Sequence, residues 1–195
     1  MPYRLITAYT PEYEAEAHEL FKTTEPLGLR LNEYPYQSLG SWEKNTHRTV
    51  EIIKAALTLF DPDPVVWIDA DARFFKYPSL FDTITADIGV HKRSNPNMKG
   101  WHYNSGTIFY ANRPAVHRFL DDQIARLKAY RDTGTGQPPH TNWMLRNTAH
   151  GLNIFELPLE YSYIEGTERE DEQIPFGRVV IMHTQASRRM RSKIR

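Results

Sequence analysis

The stretch VVWIDADARFF, Val65 to Phe75, joins a wholly apolar run to a pair of aspartates. Val65, Val66, Trp67 and Ile68 are consecutively apolar, as a strand covered by helices on both faces must be, and they run straight into Asp69, Ala70 and Asp71. The flanking patterns alternate in the same sense. Upstream, YRLITAY (3–9) is a strand candidate, followed by a helix that Thr10 can cap, Pro11 can open and Gly28 can end. LRLNEYPY (29–36) is a second strand candidate, and SWEKNTHRTVEIIKAALTLF (41–60) sets Val50, Ile53, Leu57 and Phe60 on one helical face before DPDP (61–64) stops it. Downstream, DIGVHK (87–92) and GTIFYAN (106–112) are strand candidates. A helix from Pro114 to Tyr130 points Val116, Leu120, Ile124 and Leu127 inward. RDTGTGQPPH (131–140) reads as a loop, Asn142 to Asn147 as a short helix, NIFELP (153–158) as a strand, and RVVIMHT (178–184) as the strand that closes the sheet. The alternation predicts one α/β domain over residues 1–195, with a mostly parallel central sheet flanked by helices and its ligands outside the carboxyl ends of the strands.

Composition narrows the classes. Lys plus Arg and Asp plus Glu number 24 each, so there is no global field to gather a polyanion, and electrostatic specificity must be local. The absence of cysteine excludes disulfides, thiolate metal sites and a cysteine nucleophile, and suits a reducing compartment. With no basic region leading into an apolar run at the N-terminus, and no run of the roughly 18 apolar residues a membrane span needs, a soluble cytoplasmic protein with no membrane partner is expected.

The chemistry gathers where the strands end. On extended chain, residues i and i+2 point the same way, so Asp69 and Asp71 are expected to project together, with Ala70 leaving the backbone open to close approach. Two carboxylates that close repel unless a proton or cation lies between them, and a hard divalent ion with oxygen ligands is the natural solution. Alone, an Asp-x-Asp triplet can equally just end a strand. His183, at the end of VVIMHT, brings an imidazole to the same edge, and two carboxylates plus one imidazole make a half-shell for Mn²⁺ (or Mg²⁺) with positions left for phosphate and water. Arg188 and Arg189 then stand where guanidinium forks can hold a diphosphate, whereas Arg191, Lys193 and Arg195 read as a solvated tail.

Taken together, VVWIDADARFFKYPSLF, YNSGTIFYAN and HTQASRR resemble the metal-dependent nucleotide-sugar glycosyltransferases of the GT-A fold, nearest the group known as glycosyltransferase family 8. The resemblance implies that Asp69, Asp71 and His183 hold Mn²⁺ against the diphosphate of a donor, a UDP-sugar by the same likeness. It implies that Thr7, Ala8 and Tyr9 line the nucleoside pocket and that Tyr13 stacks on the base. Lys54 is matched to a basic residue that reaches the donor, Ala70 to the residue between the metal ligands, and Asn104, Ser105 and Gly106 to the strand against the transferred sugar. The chain departs from the family pattern at PPHTNWML (138–145), where an acidic or Asp-Gln pair is common; Asn142 is the reaction-centre candidate there, with His140 and Thr141 beside it.

The expected activity is therefore sugar transfer from a nucleotide-diphosphate sugar to an acceptor hydroxyl. No carboxylate outside the metal pair is placed as a general base, which favours retention at the anomeric carbon. The segment EGTEREDEQ (165–173), with Glu165, Glu168, Glu170 and Asp171, reads as a loop that can cover the donor. Two rivals stay open: a haloacid-dehalogenase-type aspartate phosphatase, whose signature also opens with apolar residues and Asp-x-Asp but which meets Arg73 where Thr or Val is usual, and a catalytically inactive nucleotide-sugar-binding module. The acceptor is open as well. HKRSNPNMKGWHY (91–103) interleaves His91, Lys92, Arg93 and Lys99 with Trp101 and Tyr103, a composition that fits hydroxymethylated DNA, a glycan or a protein hydroxyl.

Overall fold

β1 (Arg4–Tyr9) pairs in parallel with β2 (Leu31–Pro35) on one side and β3 (Val65–Ile68) on the other in the computed structural model, which describes residues 3–93, 102–130, 135–148, 151–167 and 173–188. β4 (Ala72–Phe74) leaves this sheet, and β5 (Ile88–Lys92), β6 (Tyr103–Tyr110) and β7 (Ile154–Glu156) complete it in the order β2-β1-β3-β6-β5-β7. β6 is antiparallel to both its neighbours, β3 and β5, while β5 and β7 run parallel. All its other described strands therefore share one direction, as the alternating sequence pattern implied.

β3 explains the layering. Val65 and Trp67 pack into a cluster with Val50, Ile53 and Leu57 of α2 (Trp42–Leu59) and Val116, Leu120 and Leu127 of α3 (Pro114–Ala129). Val66 and Ile68 point the other way, toward Leu20 of α1 (Glu14–Thr24), Phe81 and Ile181. A strand buried on both faces has no use for polar alternation, and each fully buried Val, Leu or Ile contributes roughly 1.5–3 kcal/mol. Thr10 and Pro11 open a short 3₁₀ turn (Pro11–Tyr13) that leads into α1, and Gly28 follows a second such turn in the left-handed region, φ 68°, where glycine carries no Cβ penalty. Among the described residues no helix is long and apolar enough to cross a membrane.

Three expectations need correction. RVVIMHT does not close the central sheet: only Ile181–His183 are strand, and this β9 forms a separate small sheet, antiparallel to β4 and parallel to β8 (Tyr163–Ile164). The chain after β3 turns out of the central sheet, so β4 rather than a central strand is the edge offered to β9. Asp69 to Asp71 are not extended; a turn closed by the Ala72 N–H to the Asp69 carbonyl, 3.0 Å, carries them, so the carboxylates converge by the turn rather than by strand alternation. Finally, α4 spans Gln137–Asn147, absorbing Pro138 and Pro139 that read as loop; both sit in its first turn, where a missing N–H costs no hydrogen bond.

Asp87 fastens the start of β5 to its neighbours. Its carboxylate accepts from the Asn153 N–H at 2.9 Å and from Arg113 at 2.8 Å, and its own N–H donates to the Asn153 carbonyl. The Asn153 N–H first, and Arg113 after it, outweigh burial and hold the carboxyl below its usual range. Its folded pKa is thus depressed, so its stabilising contribution is complete above the unfolded value and is lost as pH falls through the folded one. Asp87→Ala, which leaves a partly buried N–H unpaired, should destabilise by about 1–3 kcal/mol in urea unfolding at pH 7. The gap from wild type should narrow below about pH 4, the range of an unfolded aspartate.

Candidate active site

The turn after β3 and the end of β9 lie side by side because β4 and β9 are in register, Ala72 opposite His183. This register sets the Asp71 Oδ1 and His183 Nδ1 3.5 Å apart. One ligand atom from each of Asp69, Asp71 and His183 lies within 4.8 Å of the others, the spacing of groups that can share one cation.

Each member is held from outside. Asp69 Oδ1 accepts from the Trp67 indole N–H at 2.9 Å, and Asp69 N–H donates to the Gly106 carbonyl, which continues the β3–β6 ladder by one residue. Asp71 Oδ2 accepts from the Ala186 N–H at 2.8 Å. His183 is buried, and its Nε2 meets the Thr107 hydroxyl at 2.8 Å. Its Nδ1 is buried with no hydrogen-bond partner. When Nε2 carries the proton and donates to Thr107, the Nδ1 lone pair faces the carboxylates, the state a metal ligand requires. The fit of the residues to a divalent cation rests on this orphaned nitrogen, the acidic pair and the room left by Gly106. A Cβ on Gly106 would lie 2.8 Å from His183 Cε1, so the imidazole occupies the space that glycine leaves open.

The electrostatics agree. Burial first, then the Asp71 charge, push the Asp69 carboxyl up. For Asp71 burial is the largest influence and also raises it, yet His183 and the Ala186 N–H together bring it below the usual range. A dication set among the three would offset both the burial and the mutual repulsion of the carboxylates.

Two cavities meet at this triad. The larger, about 440 Å³, is lined by Ala8 and Tyr9 at the end of β1, by Tyr13 and Tyr36, and by Ala70 and Ser105. The smaller, about 210 Å³, is lined by Asn104, Ser105, Gly106, Arg188 and the triad itself. A register shift between Val90 and His91 pairs His91 with Asn104, so Ser105, Gly106 and Thr107 bow out of the β5–β6 ladder. Bulges re-aim side chains in this manner beside active sites.

The structure does not gather every expected residue. Thr7 is fully buried and lines neither cavity. Lys54 is directed away: its Nζ pairs with Asp121 of α3, and it lines neither cavity. Asn142 is spent on the backbone, accepting from the Tyr103 N–H at 2.6 Å and donating to the Tyr103 and Pro138 carbonyls, which ties α4 to β6. Asn104 bridges the Ser162 carbonyl and the Gly106 N–H while lining the smaller cavity. Arg189, Lys99, Trp101, Glu168, Glu170 and Asp171 lie outside the described residues. The sequence reading missed Trp42 and Pro138, which line both cavities, and Tyr36 and Gln137, which line the larger. Trp42 had one signal, its position directly after the capping Ser41, where a large aromatic cannot be buried by its own helix.

No family model matches the sequence, and no curated protein matches it. Solved structures do. The glycosyltransferase involved in glycosylation of the major capsid of PBCV-1 aligns over 98% of this chain and 98% of its own, with a TM-score of 0.74 and 14% identity. GlyE of Streptococcus pneumoniae TIGR4 aligns over 94% of this chain and 55% of its own, at a TM-score of 0.67 and 12% identity. The galactosyltransferase LgtC, solved with donor and acceptor sugar analogues, aligns over 93% and 87% at a TM-score of 0.62 and 11% identity. At such identities the likeness is one of fold: the chain has the fold of the GT-A glycosyltransferases.

Proposed function

We propose that this protein is a metal-dependent glycosyltransferase that moves a sugar from a nucleoside-diphosphate sugar, a uridine diphosphate sugar by the family resemblance, to an acceptor hydroxyl. The observation that carries the reading is the convergence of Asp69, Asp71 and the orphaned His183 Nδ1 where a 440 Å³ cavity and a 210 Å³ cavity meet. Asp69, Asp71 and His183 would hold Mn²⁺ or Mg²⁺, which supplies positive charge for the departing diphosphate.

The remaining work falls to the chain. Tyr13 and Tyr9 offer aromatic faces to the base, and Ala70 lets the ligand approach the backbone between the two aspartates. Asn104, Ser105 and Gly106 back the transferred sugar, and Arg188 stands by the triad where negative charge builds as the anomeric C–O bond breaks. A guanidinium aimed at that charge stabilises the transition state more than the ground state, worth about 3 kcal/mol of barrier. Among the described residues, Asp69 and Asp71 are the only carboxylates on the smaller cavity. Transfer with retention suits that wall: the acceptor oxygen bonds the anomeric carbon on the face the diphosphate leaves, and its proton passes to the departing phosphate oxygen, so no further base is required.

A thermal-shift screen of nucleotide sugars, each with and without Mn²⁺, tests the reading. A ligand at a hundredfold excess over its dissociation constant stabilises by about 2.7 kcal/mol, and the account expects that only when nucleotide and metal are both present. Equal shifts with and without metal would count against it.

A further inference from the structure

Apart from the two cavities at the triad, a third of about 410 Å³ lies between α2 and α3, in the size range of small-molecule pockets. The chain from Tyr36 to Ser41 is the partition between it and the larger cavity. Tyr36 lines both, whereas Gln37 and Leu39 line the third cavity and Ser38 and Gly40 the larger one, so alternate residues of this strap serve opposite sides. Asn45 of α2 fixes the strap at three points: its carbonyl accepts from the Tyr36 hydroxyl at 2.9 Å, its Oδ1 accepts from the Leu39 N–H at 2.7 Å, and its Nδ2 donates to the Ser38 hydroxyl at 3.1 Å. Asp69, Asp71 and His183 line no part of the third cavity.

Its lining divides by character. Leu39, Ile124 and Leu127 make an apolar wall with Tyr36. Lys44, Arg48 and Lys128 bring three cations, and Glu51 brings the one carboxylate, which Arg48 already pairs. His47 is spent, its Nε2 donating to the Thr135 carbonyl at 2.8 Å. Among the described residues neither Lys44 nor Lys128 has an ion-pair partner. Lys44 and Arg48 also stand one helical turn apart on α2, a like-charge spacing that works against the helix unless an anion lies between them. In a chain of zero net charge this surplus of two positive charges beside an apolar wall is local, and a ligand that brings both negative charge and apolar surface answers it. A phosphate monoester carries about −1.5 to −2 at neutral pH and offers three acceptor oxygens to lysine and arginine donors, whereas a carboxylate supplies about half that charge.

We infer that this cavity is a second ligand site, for a small phosphate monoester with an apolar body: Lys44, Arg48 and Lys128 hold the phosphate, and the body lies against Ile124 and Leu127. Phenyl phosphate is the probe, titrated calorimetrically into the whole chain at low salt without metal. It should bind one to one, and it should still bind in the presence of saturating UDP and Mn²⁺ and to Asp71→Asn. Inorganic phosphate, which lacks the apolar body, and benzyl alcohol, which lacks the charge, should each bind about tenfold more weakly or worse. Changing Lys44 and Lys128 together to alanine should lower the affinity about tenfold or more, as loss of two charge-assisted hydrogen bonds implies, while Lys92→Ala, at an exposed cation that lines none of the three cavities, leaves it unchanged. Glu51→Gln should raise the affinity by removing the carboxylate that competes for Arg48, a gain that damage to the fold cannot mimic. No binding at millimolar phenyl phosphate, its displacement by UDP with Mn²⁺, equal binding of benzyl alcohol, or equal affinity in the double variant would overturn the inference. None of these results bears on the transferase reading, which rests on the other two cavities.

Discussion

Asp71→Asn and His183→Ala should each abolish the Mn²⁺-dependent part of nucleotide binding and lower donor hydrolysis by about a hundredfold or more, the effect of removing one pre-aimed electrostatic contact. The two changes reach one site from opposite sides of the β4–β9 pair. Asp71→Asn keeps an oxygen for the Ala186 N–H, so the segment after β9 retains its anchor while one charge is lost. His183→Ala removes the imidazole whose Nδ1 faces Asp71 at 3.5 Å. Circular dichroism should show both variants folded, and calorimetric titration of UDP with Mn²⁺ reads the loss. Undiminished affinity in both would contradict the metal assignment.

Gly106→Ala should weaken Mn²⁺ binding about tenfold to a hundredfold without altering any ligand. Its Cβ would meet three atoms of the His183 ring at 2.8–3.1 Å, and displacing a ring that Thr107 holds at Nε2 disturbs the approach of its Nδ1 to Asp71. Changes that misorient a ligand from outside the coordination sphere cost about this much in other metal sites. Gly177→Ala is the matched control, because a Cβ there meets nothing within 4 Å, and its Mn²⁺ affinity should equal wild type. Equal affinity in both glycine variants would mean that His183 does not bind the ion.

What could be read from the sequence follows from how local each signal is. Val65 to Ile68 announce a strand buried on both faces by themselves, and the helical stripe of Val50, Ile53 and Leu57 needs only its spacing, so the layers were legible. The cluster of Asp69, Asp71 and His183 was legible in composition but not in geometry. Asp69 and Asp71 converge through a turn, and His183 joins them because β9 pairs with β4, a long-range pairing that no local pattern encodes. Lys54 is drawn from the cavities for a related reason: its position on α2 is a matter of periodicity, but its partner, Asp121, lies 67 residues on, in α3. Asn142 looked like a reaction-centre residue because a polar side chain in a short helix has no evident task, and the structure supplies one in the backbone of Tyr103. Trp42 escaped notice because its neighbour Gly136 is distant in sequence and the space between them exists only in the fold.

Incubating the protein with a panel of nucleotide sugars, with and without Mn²⁺, and identifying the phosphorus-containing product separates a transferase from its rivals. The account predicts slow release of nucleoside diphosphate from at least one donor, dependent on Mn²⁺ and lost in Asp71→Asn. Release of inorganic phosphate would point to an aspartate phosphatase, and no product beside tight nucleotide binding to an inactive binding module; either result would contradict the account.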